Sequence, residues 1–308
     1  MILNRKDIIN KYPWMNEQGH QFIVSSDYDG LICASLLNHL KKWKLVGYYN
    51  LESIWISEDA KKNKNDIIWV DLNILPKQGR AIGGHIISIK NEKISGFSSS
   101  CNPNIITELN SSSFSKKYPM STILFLLWIY NIHIPKNLKS KMLVLHADSA
   151  WLKLQHYPEN FYSWMKLLKD FPWKWLFRSI NTKTFERRVG EILYPTLRSI
   201  DAISGHSKLR SKNLNFRSRE LKINPDWDED VIYNLFNLFA TILNWTPPKL
   251  PEISCRVDGI KNKIPLKEIK RIGLSTFLKK NKVFSYAITS PQTLSYTSFG
   301  YTFKSPIK

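Results

Sequence analysis

The feature that most constrains the fold is an apolar run that ends in two carboxylates and passes at once into a second apolar run. Phe22 to Ser26 has the β-branched composition of a buried strand. Asp27 and Asp29 follow in an Asp-x-Asp-Gly sequence, and Leu31 to Lys41 has the pattern of a helix. Open α/β sheets are built from such units and place their sites at the carboxyl ends of the strands.

The aspartate pair has two interpretations. Two carboxylates in such a turn can converge on a hard divalent cation, because oxygen anions are its preferred ligands. Alternatively, Asp27 and Asp29 only cap the following helix, since aspartate is a preferred residue at that position and suits the positive end of the helix dipole. The rest of the chain has to decide between these two roles.

Strand-like and helix-like segments continue to alternate up to about residue 150, which predicts an α/β fold with a doubly wound, mostly parallel sheet. A second strand is predicted at Leu45 to Asn50, and a long apolar helix at about Pro119 to Tyr130. Three of the apolar runs, each predicted to be a strand, end in aspartate. They are the runs before Asp27, Asp71 and Asp148, and a further apolar segment places His85 beside two glycines.

The net charge is +20 over 308 residues, and the second half of the chain carries most of it. Residues 1–150 contain 18 Lys and Arg against 12 Asp and Glu, a net +6, whereas residues 151–308 contain 27 against 13, a net +14. A basic surface attracts polyanions and favours nucleic acid as a partner, through phosphate contacts and counterion release. The other interpretation is a compositional bias toward Lys, Ile and Asn that keeps the protein soluble.

The second half is predicted to be a basic, Trp-rich α+β region at residues 151–308. Phe161 to Phe177 indicates an amphipathic helix interrupted at Pro172. Gly205 to Arg219 carries five Lys and Arg residues and few apolar anchors, which predicts an exposed loop. Asp226 to Asp230 opens a helix that runs to about Leu243, with its acids in the first turn. Alternating aromatic and hydroxyl residues from Phe284 to Phe303 predict a β-hairpin.

Targeting and redox signals point to a cytoplasmic protein. The longest apolar stretch, Ser121 to Ile134, is too short for a membrane span and contains His133. The N-terminal residues lack an apolar signal core. Cys33, Cys101 and Cys255 lie far apart, so neither a zinc pattern nor a disulfide framework is predicted.

Residues 20–150 resemble the DHH phosphoesterase superfamily, which includes RecJ-type exonucleases, cyclic-dinucleotide phosphodiesterases and a class of inorganic pyrophosphatases. Asp27-Tyr28-Asp29-Gly30 is similar to the first motif of that family, and Val70-Asp71-Leu72 to the second. Gly83-Gly84-His85 stands at the third, signature motif, and Ala147-Asp148 at the fourth. The resemblance implies a phosphoesterase domain at residues 1–150, followed by a substrate- or nucleic-acid-binding region.

The family site would give this chain a set of metal ligands and catalytic residues. By resemblance they hold one or two Mn²⁺ or Mg²⁺ ions, and His85 also contacts the phosphate of the substrate. The members of this set are Asp27, Asp29, Asp71, His85 and Asp148.

The signature motif departs from the family pattern. Gly83 and Gly84 stand where the family has an aspartate and its first histidine, and Ile23 and Ser25 occupy the positions of an earlier ligand. Two ligands are therefore missing, and catalysis is an open question, since a two-metal centre uses both ions to clamp the attacking and leaving oxygens.

Phosphate-binding candidates lie in the second half, where Trp173, Trp175 and Phe216 are candidates for stacking on bases. His146 and His156 are either structural residues or members of the site. The cationic candidates, together with the histidine of a Ser-Gly-His-Ser sequence, are Arg187, Arg188, His206, Lys208, Arg210, Lys212, Arg217 and Arg219.

The sequence supports three functions. The first is a metal-dependent phosphodiester hydrolase, a nuclease or nucleotide phosphodiesterase. The second is a degenerate relative that binds nucleic acid or a partner protein without cleaving it. The third is a haloacid-dehalogenase-type phosphatase with Asp27 as nucleophile and Asp29 as general acid, which ranks lower because the sequence after Gly30 predicts a helix without an intervening loop.

Overall fold

The chain forms two compact units, and each unit is assembled from separate stretches of sequence. The computed structural model describes residues 2–62, 66–74, 80–90, 92 and 94–300. The first unit, which we call the helical unit, takes the described residues of 2–18, 26–43 and 119–250. The second, which we call the sheet unit, takes those of 19–25, 44–118 and 251–300. Both draw on residues before and after 150, and the predicted division of functions at that residue stays a prediction.

The sheet unit contains a mostly parallel sheet, so the predicted α/β class is confirmed. Seven strands form this sheet in the described residues: β1 (Gln21–Ser25), β2 (Lys44–Tyr49), β3 (Ser53–Ser57), β4 (Ile68–Val70), β5 (Arg80–Ile82), β6 (Ser100–Cys101) and β7 (Ile253–Asp258). Their order is β6-β5-β4-β1-β2-β3-β7. The first five in this order run parallel, and β3 and β7 are antiparallel to their neighbours.

A smaller antiparallel sheet completes the sheet unit. Its strands are β8 (Ile260–Pro265), β9 (Val283–Ser290) and β10 (Thr293–Ser298), in the order β8-β10-β9. The pairing of β9 with β10 confirms the predicted hairpin as far as residue 298, whereas residues 301–303 of that prediction lie outside the described residues. Leu294 and Ile288 belong to an apolar core beneath this sheet, together with Phe277 from a neighbouring helix.

The helical unit contains most of the helices, and every residue of its helix Thr122–Ile129 is buried. The helices of the described chain are α1 (Arg5–Lys11), α2 (Tyr28–Lys41), α3 (Glu58–Lys62), α4 (Pro103–Ile106), α5 (Thr122–Ile129), α6 (Leu138–His146), α7 (Ala150–His156), α8 (Pro158–Leu167), α9 (Trp173–Phe177), α10 (Lys183–Arg188), α11 (Tyr194–Arg198), α12 (Glu229–Leu243), α13 (Leu266–Ile272) and α14 (Leu274–Lys280).

The strand predicted before Asp148 is wrong, because the run belongs to α6. Asn137 accepts a hydrogen bond from the Ser140 amide and begins that helix. Short apolar runs do not separate a strand from a buried helix by periodicity, and in this segment the capping residue favours the helix. The predicted helix start near Asp226 is confirmed at Glu229. Among the described residues, no helix is long and apolar enough to cross a membrane.

Candidate functional site

Asp27 caps the helix that follows the first strand. Its Oδ1 accepts a hydrogen bond from the Gly30 amide at 3.0 Å, and its backbone is extended. The residue also forms an isolated antiparallel bridge with Lys222. The helix begins at Tyr28, directly after the aspartate, as the apolar run predicts. Asp27 therefore performs the capping role that its position favours.

Asp29 lies inside the helical unit and stabilises a second helix. Its side chain is 2% exposed, and its two oxygens accept the amides of Thr122 and Ile123 at 2.6 and 3.0 Å, at the start of α5. Burial, followed by the charges of Asp148 and Asp27, raises the pKa of this carboxyl well above its ordinary value of 3.8. Both oxygens of Asp29 are thus already engaged by backbone amides.

Asp148 lies in the same unit and remains half-exposed. It adopts a left-handed backbone conformation with φ of 51°, and its Oδ2 accepts a hydrogen bond from Lys153 Nζ at 3.0 Å. The Glu220 carboxylate lies nearby, since Ser149 Oγ donates to its Oε1 at 3.5 Å. Burial raises the pKa of Glu220, and the charges of Asp148 and Asp27 add to that effect.

Four carboxylates of the helical unit are therefore electrostatic neighbours, and we call Asp27, Asp29, Asp148 and Glu220 the carboxylate cluster. Glu220 was missed by the sequence analysis, because an isolated acid among six cations gives no motif. Concentrated negative charge of this kind raises the pKa of its members and attracts cations. Three of its four members were predicted as site residues.

Asp71 lies in the sheet unit, at the end of β4. Its Oδ2 accepts a hydrogen bond from the Ser25 hydroxyl at 2.5 Å. Ser25 is the last residue of β1, which pairs with β4 in parallel, so the ends of the two strands share one edge of the sheet. The second motif thus follows a strand, as predicted. Asp71 also has a left-handed backbone, with φ of 59°.

Buried asparagines pack around the signature segment. A Cβ on Gly83 would lie 2.7 Å from both the Leu72 carbonyl oxygen and Asn73 Oδ1. Asn102 Nδ2 donates to Asn73 Oδ1 and to the His85 carbonyl, both at 2.9 Å. The side chain of an aspartate at position 83 would collide with these atoms, so the packing accounts for the glycine found there.

A third asparagine also binds this segment, since Asn104 Nδ2 donates to the Gly84 carbonyl at 2.7 Å. We call Asn73, Asn102 and Asn104, which surround residues 83–85, the amide network. His85 itself is exposed. The sequence analysis missed all three asparagines, although Asn102 and Asn104 flank a proline after a strand.

The donor set does not form a ready metal centre. Among the described residues, no group of three or more His, Cys, Asp or Glu side chains is placed to hold a metal ion. Asp29 uses both oxygens on α5, and Asp148 is paired with Lys153. The metal role of the five predicted ligands therefore stays a prediction.

His146 belongs to the core. Its ring packs edge-on against Tyr28 with 4.7 Å between centroids, and burial lowers its pKa to about 4. The residue is therefore neutral at physiological pH. This packing supports the structural role that the sequence analysis left open for it.

The predicted basic loop, all of which the structure describes, contains no regular strand, and backbone hydrogen bonds join its two arms. We call residues 204–223 the basic ribbon. Gly205 donates to the Glu220 carbonyl at 2.7 Å, and Ser207 to the Ser218 carbonyl at 2.8 Å. Arg210 and Arg217 form an antiparallel bridge near the tip. The segment is thus a loop with paired arms, and the sequence analysis did not anticipate the pairing because a polar sequence does not signal backbone register.

A buried glutamate fixes the tip of the ribbon. Glu186 accepts hydrogen bonds from Asn213 Nδ2 at 2.8 Å, from the Leu214 amide at 2.7 Å and from Gln155 Nε2 at 2.9 Å. Burial alone would raise the pKa of this carboxyl, but the bonds from Asn213, Ser211, Gln155 and Leu214 hold it below its ordinary value. The sequence analysis named the neighbouring arginines and passed over Glu186.

The cations of the ribbon face solvent. Arg219 is half-buried, and its guanidinium contacts the His206 ring at 2.7 Å. Arg187 and Arg188 on α10 are also exposed. Contact of these predicted residues with phosphate stays a prediction. The exposed cations of the ribbon are Lys208, Arg210, Lys212, Arg217 and Lys222.

The predicted stacking residues are only partly available. Trp173 is buried, and its indole donates to the Leu168 carbonyl, so it is a core residue rather than a stacking surface. Trp175 and Phe216 are half-buried. Aromatic character and basic neighbours in the sequence could not distinguish buried from exposed aromatic side chains in this Trp-rich region.

Comparisons with known proteins do not assign this chain to a family. No family model matches the chain, and no curated protein matches it. Among solved structures, it is weakly similar to the pGpG-specific phosphodiesterase PggH from Vibrio cholerae, with 12% identity, a TM-score of 0.20, and coverage of 92% of this chain and 94% of that one. A likeness at this level carries no argument for the fold or for the function.

Proposed function

We propose that this protein binds nucleic acid through the phosphates. One observation carries the proposal: the ribbon presents its cations on a folded arm whose base carries Glu220, a member of the carboxylate cluster. The cations that would bind phosphate groups therefore lie on the same ribbon as Glu220, one of the carboxylates that would act on those groups.

The ribbon is well suited to hold a polyanion. Backbone pairing and Glu186 order it in advance, so little conformational entropy is lost when phosphates bind. Its charge comes from Arg and Lys, which bind phosphate with release of counterions. The acidic cluster at its base makes the two ends of the ribbon electrostatically distinct.

The test is binding of a fluorescent single-stranded oligonucleotide over a series of salt concentrations. Removing two phosphate contacts with the double variant Arg210→Ala/Arg217→Ala should weaken binding about tenfold or more, and should reduce the slope of log affinity against log salt by about 1.4. A charge-matched control is Lys267→Ala/Lys270→Ala, on exposed positions of α13. Equal weakening by both pairs would show only a general effect of net charge.

A second candidate function is hydrolysis of the bound phosphodiester with Mn²⁺ or Mg²⁺. The carboxylate cluster and the first, second and fourth motifs favour it, and the residues that the family resemblance names for it are Asp27, Asp29, Asp71, His85 and Asp148. The engaged oxygens of Asp29 favour binding without cleavage instead, and for that reason we place binding first.

Product analysis separates the two candidates. Purified protein is incubated with single-stranded DNA, RNA and small phosphodiesters, with Mn²⁺ or with chelator. Cleavage that requires Mn²⁺ and disappears in Asp71→Ala supports hydrolysis. Salt-dependent binding that is indifferent to chelator and to Asp71→Ala, with substrates left intact, supports the binding function alone.

A further inference from the structure

One side of the basic ribbon is lined by α7 and the residue that precedes it. Near the start of α7, Ser149 reaches Glu220. At its other end, Gln155 Oε1 accepts the Lys212 amide at 3.0 Å, and His156 Nε2 lies 2.6 Å from the Arg210 carbonyl oxygen. The helix therefore runs beside the ribbon from its base toward its tip.

Tyr157 follows directly and turns its ring to solvent. Its side chain is 55% exposed, while its amide donates to the Lys153 carbonyl at 2.9 Å and its carbonyl accepts the Phe161 amide at 3.0 Å. The backbone of this tyrosine is held at both ends, between α7 and α8. Tyr157 thus presents a flat aromatic ring on a fixed backbone, directly after a residue that contacts the Arg210 main chain.

The residues before Tyr157 connect it to the ribbon. Gln155 and His156 contact the main chains of Lys212 and Arg210, and Lys153, one turn before Tyr157, is paired with Asp148. The Arg210 guanidinium is itself oriented by a contact of 3.3 Å with Asn215 Oδ1.

Trp227 provides the contrast. It is 73% exposed and follows the ribbon closely in sequence. Four acids flank it in the sequence, and their charge repels a phosphate backbone. These acids are Asp226, Asp228, Glu229 and Asp230.

We propose that Tyr157 is a base-stacking position for single-stranded nucleic acid whose phosphates lie on Arg210 and Lys212. This inference rests on the proposed function. Proteins that bind single strands combine a basic track with aromatic side chains on which bases stack, and each stacked base contributes substantially to affinity. In a duplex the bases are already stacked on one another, so the ring gives the protein a preference for unpaired strands.

The experiment measures the affinity of the full-length protein for two oligonucleotides of equal length and charge, one of thymidines and one abasic. Tyr157→Ala should weaken binding of the thymidine strand about fivefold to a hundredfold, and Tyr157→Phe, which keeps the ring, should restore it. Binding of the abasic strand and the salt slope should stay unchanged, because no phosphate contact is removed. A merely structural role for the tyrosine would change both strands together.

Tyr162→Ala and Trp227→Ala are the matched controls, since Tyr162 is 52% exposed on the same helix α8. Both should bind like the wild type. The inference is overturned if Tyr157→Ala also binds like the wild type, while the ribbon double variant is weakened, and in that case the proposed function stands. Wild-type protein that binds neither strand overturns both.

Discussion

The amide network and the basic ribbon are both polar regions at positions where the sequence suggests chemistry, and the structure uses them in opposite ways. Around Gly83, buried Asn73 and Asn102 satisfy each other and the local backbone. In the ribbon, the backbone is paired internally, and cations such as Arg210 and Arg217 point into solvent. The polar groups of the amide network stabilise the fold, whereas the exposed cations of the basic ribbon are accessible to a ligand.

The difference shows which residues are open to function. A polar group whose hydrogen bonds are complete inside the protein costs stability when removed. A charged group on an ordered, exposed arm contributes little to stability and is available for a phosphate. Variants of the two regions should therefore separate stability from binding.

The largest effect is expected from Asn102→Ala. The change leaves Asn73 Oδ1 and the Asn104 amide without the partners they have in the buried network, so the free energy of unfolding should fall by about 3 kcal/mol. Urea denaturation measures this change. Affinity for a single strand, measured while the variant is folded, should not change. The exposed Asn10→Ala on α1 is the control, and equal losses for both variants would end the contrast.

Glu186→Gln should loosen the ribbon. The substitution removes a charge that four donors surround and puts an amide where an acceptor is needed, which should cost about 2 kcal/mol and also weaken oligonucleotide binding. Because the pKa of Glu186 is lowered in the folded state, its stabilising effect is present above the unfolded pKa of about 4.5 and is lost as the pH falls through the folded value. The variant should lack that acid-dependent loss in denaturation series. Unaltered affinity would show that the tip is ordered without Glu186.

Asp29→Asn should flatten the pH dependence of stability. Since the folded pKa is raised above 3.8, the unfolded state ionises first, and stability is lost as the pH rises from that value through the folded pKa. The slope in this window is at most about 1.4 kcal/mol per pH unit for one proton. Denaturation of wild type and variant between acid and neutral pH measures it, and identical slopes would contradict a raised pKa.

The smallest effect concerns His206. Partial desolvation and the nearby Arg219 and Arg217 lower its pKa, so the imidazole is neutral at pH 7. A bound phosphate favours the protonated ring, and affinity should therefore rise, by up to about fivefold, as the pH falls through the His206 pKa. Oligonucleotide titrations of wild type and His206→Gln isolate this effect as the difference between the two pH profiles. Parallel profiles would exclude His206 from the phosphate-binding surface.

Local patterns predicted a large part of the fold. The strand before Asp27, the helix beginning directly after it and the strand before Asp71 follow from runs of apolar residues with clear ends. The acids at the start of α12 were predicted from the helix dipole. The apolar run before Asp148 was misassigned, because its few residues fit a buried strand as well as a helix and only the Asn137 cap distinguishes them.

The site was less predictable, because its members meet through long-range contacts. Asp29 and the amides of Thr122 and Ile123 are over ninety residues apart, and no motif joins them. Glu186 and the ribbon tip, or Gly83 and Asn102, are likewise paired only by the folded chain. Conversely, charge counting did locate the basic region, since a net charge needs no partner to be recognised.

The sequence by itself determined the α/β class, the aspartates that follow β1 and β4, and the basic character of the second half. It could do so because periodicity and charge are properties of neighbouring residues. Only the tertiary structure decided that Asp29 is buried, that asparagines pack around Gly83 and that the basic segment is an ordered ribbon. Burial and hydrogen-bond completion depend on residues distant in sequence, and they determine which polar groups are left for a ligand.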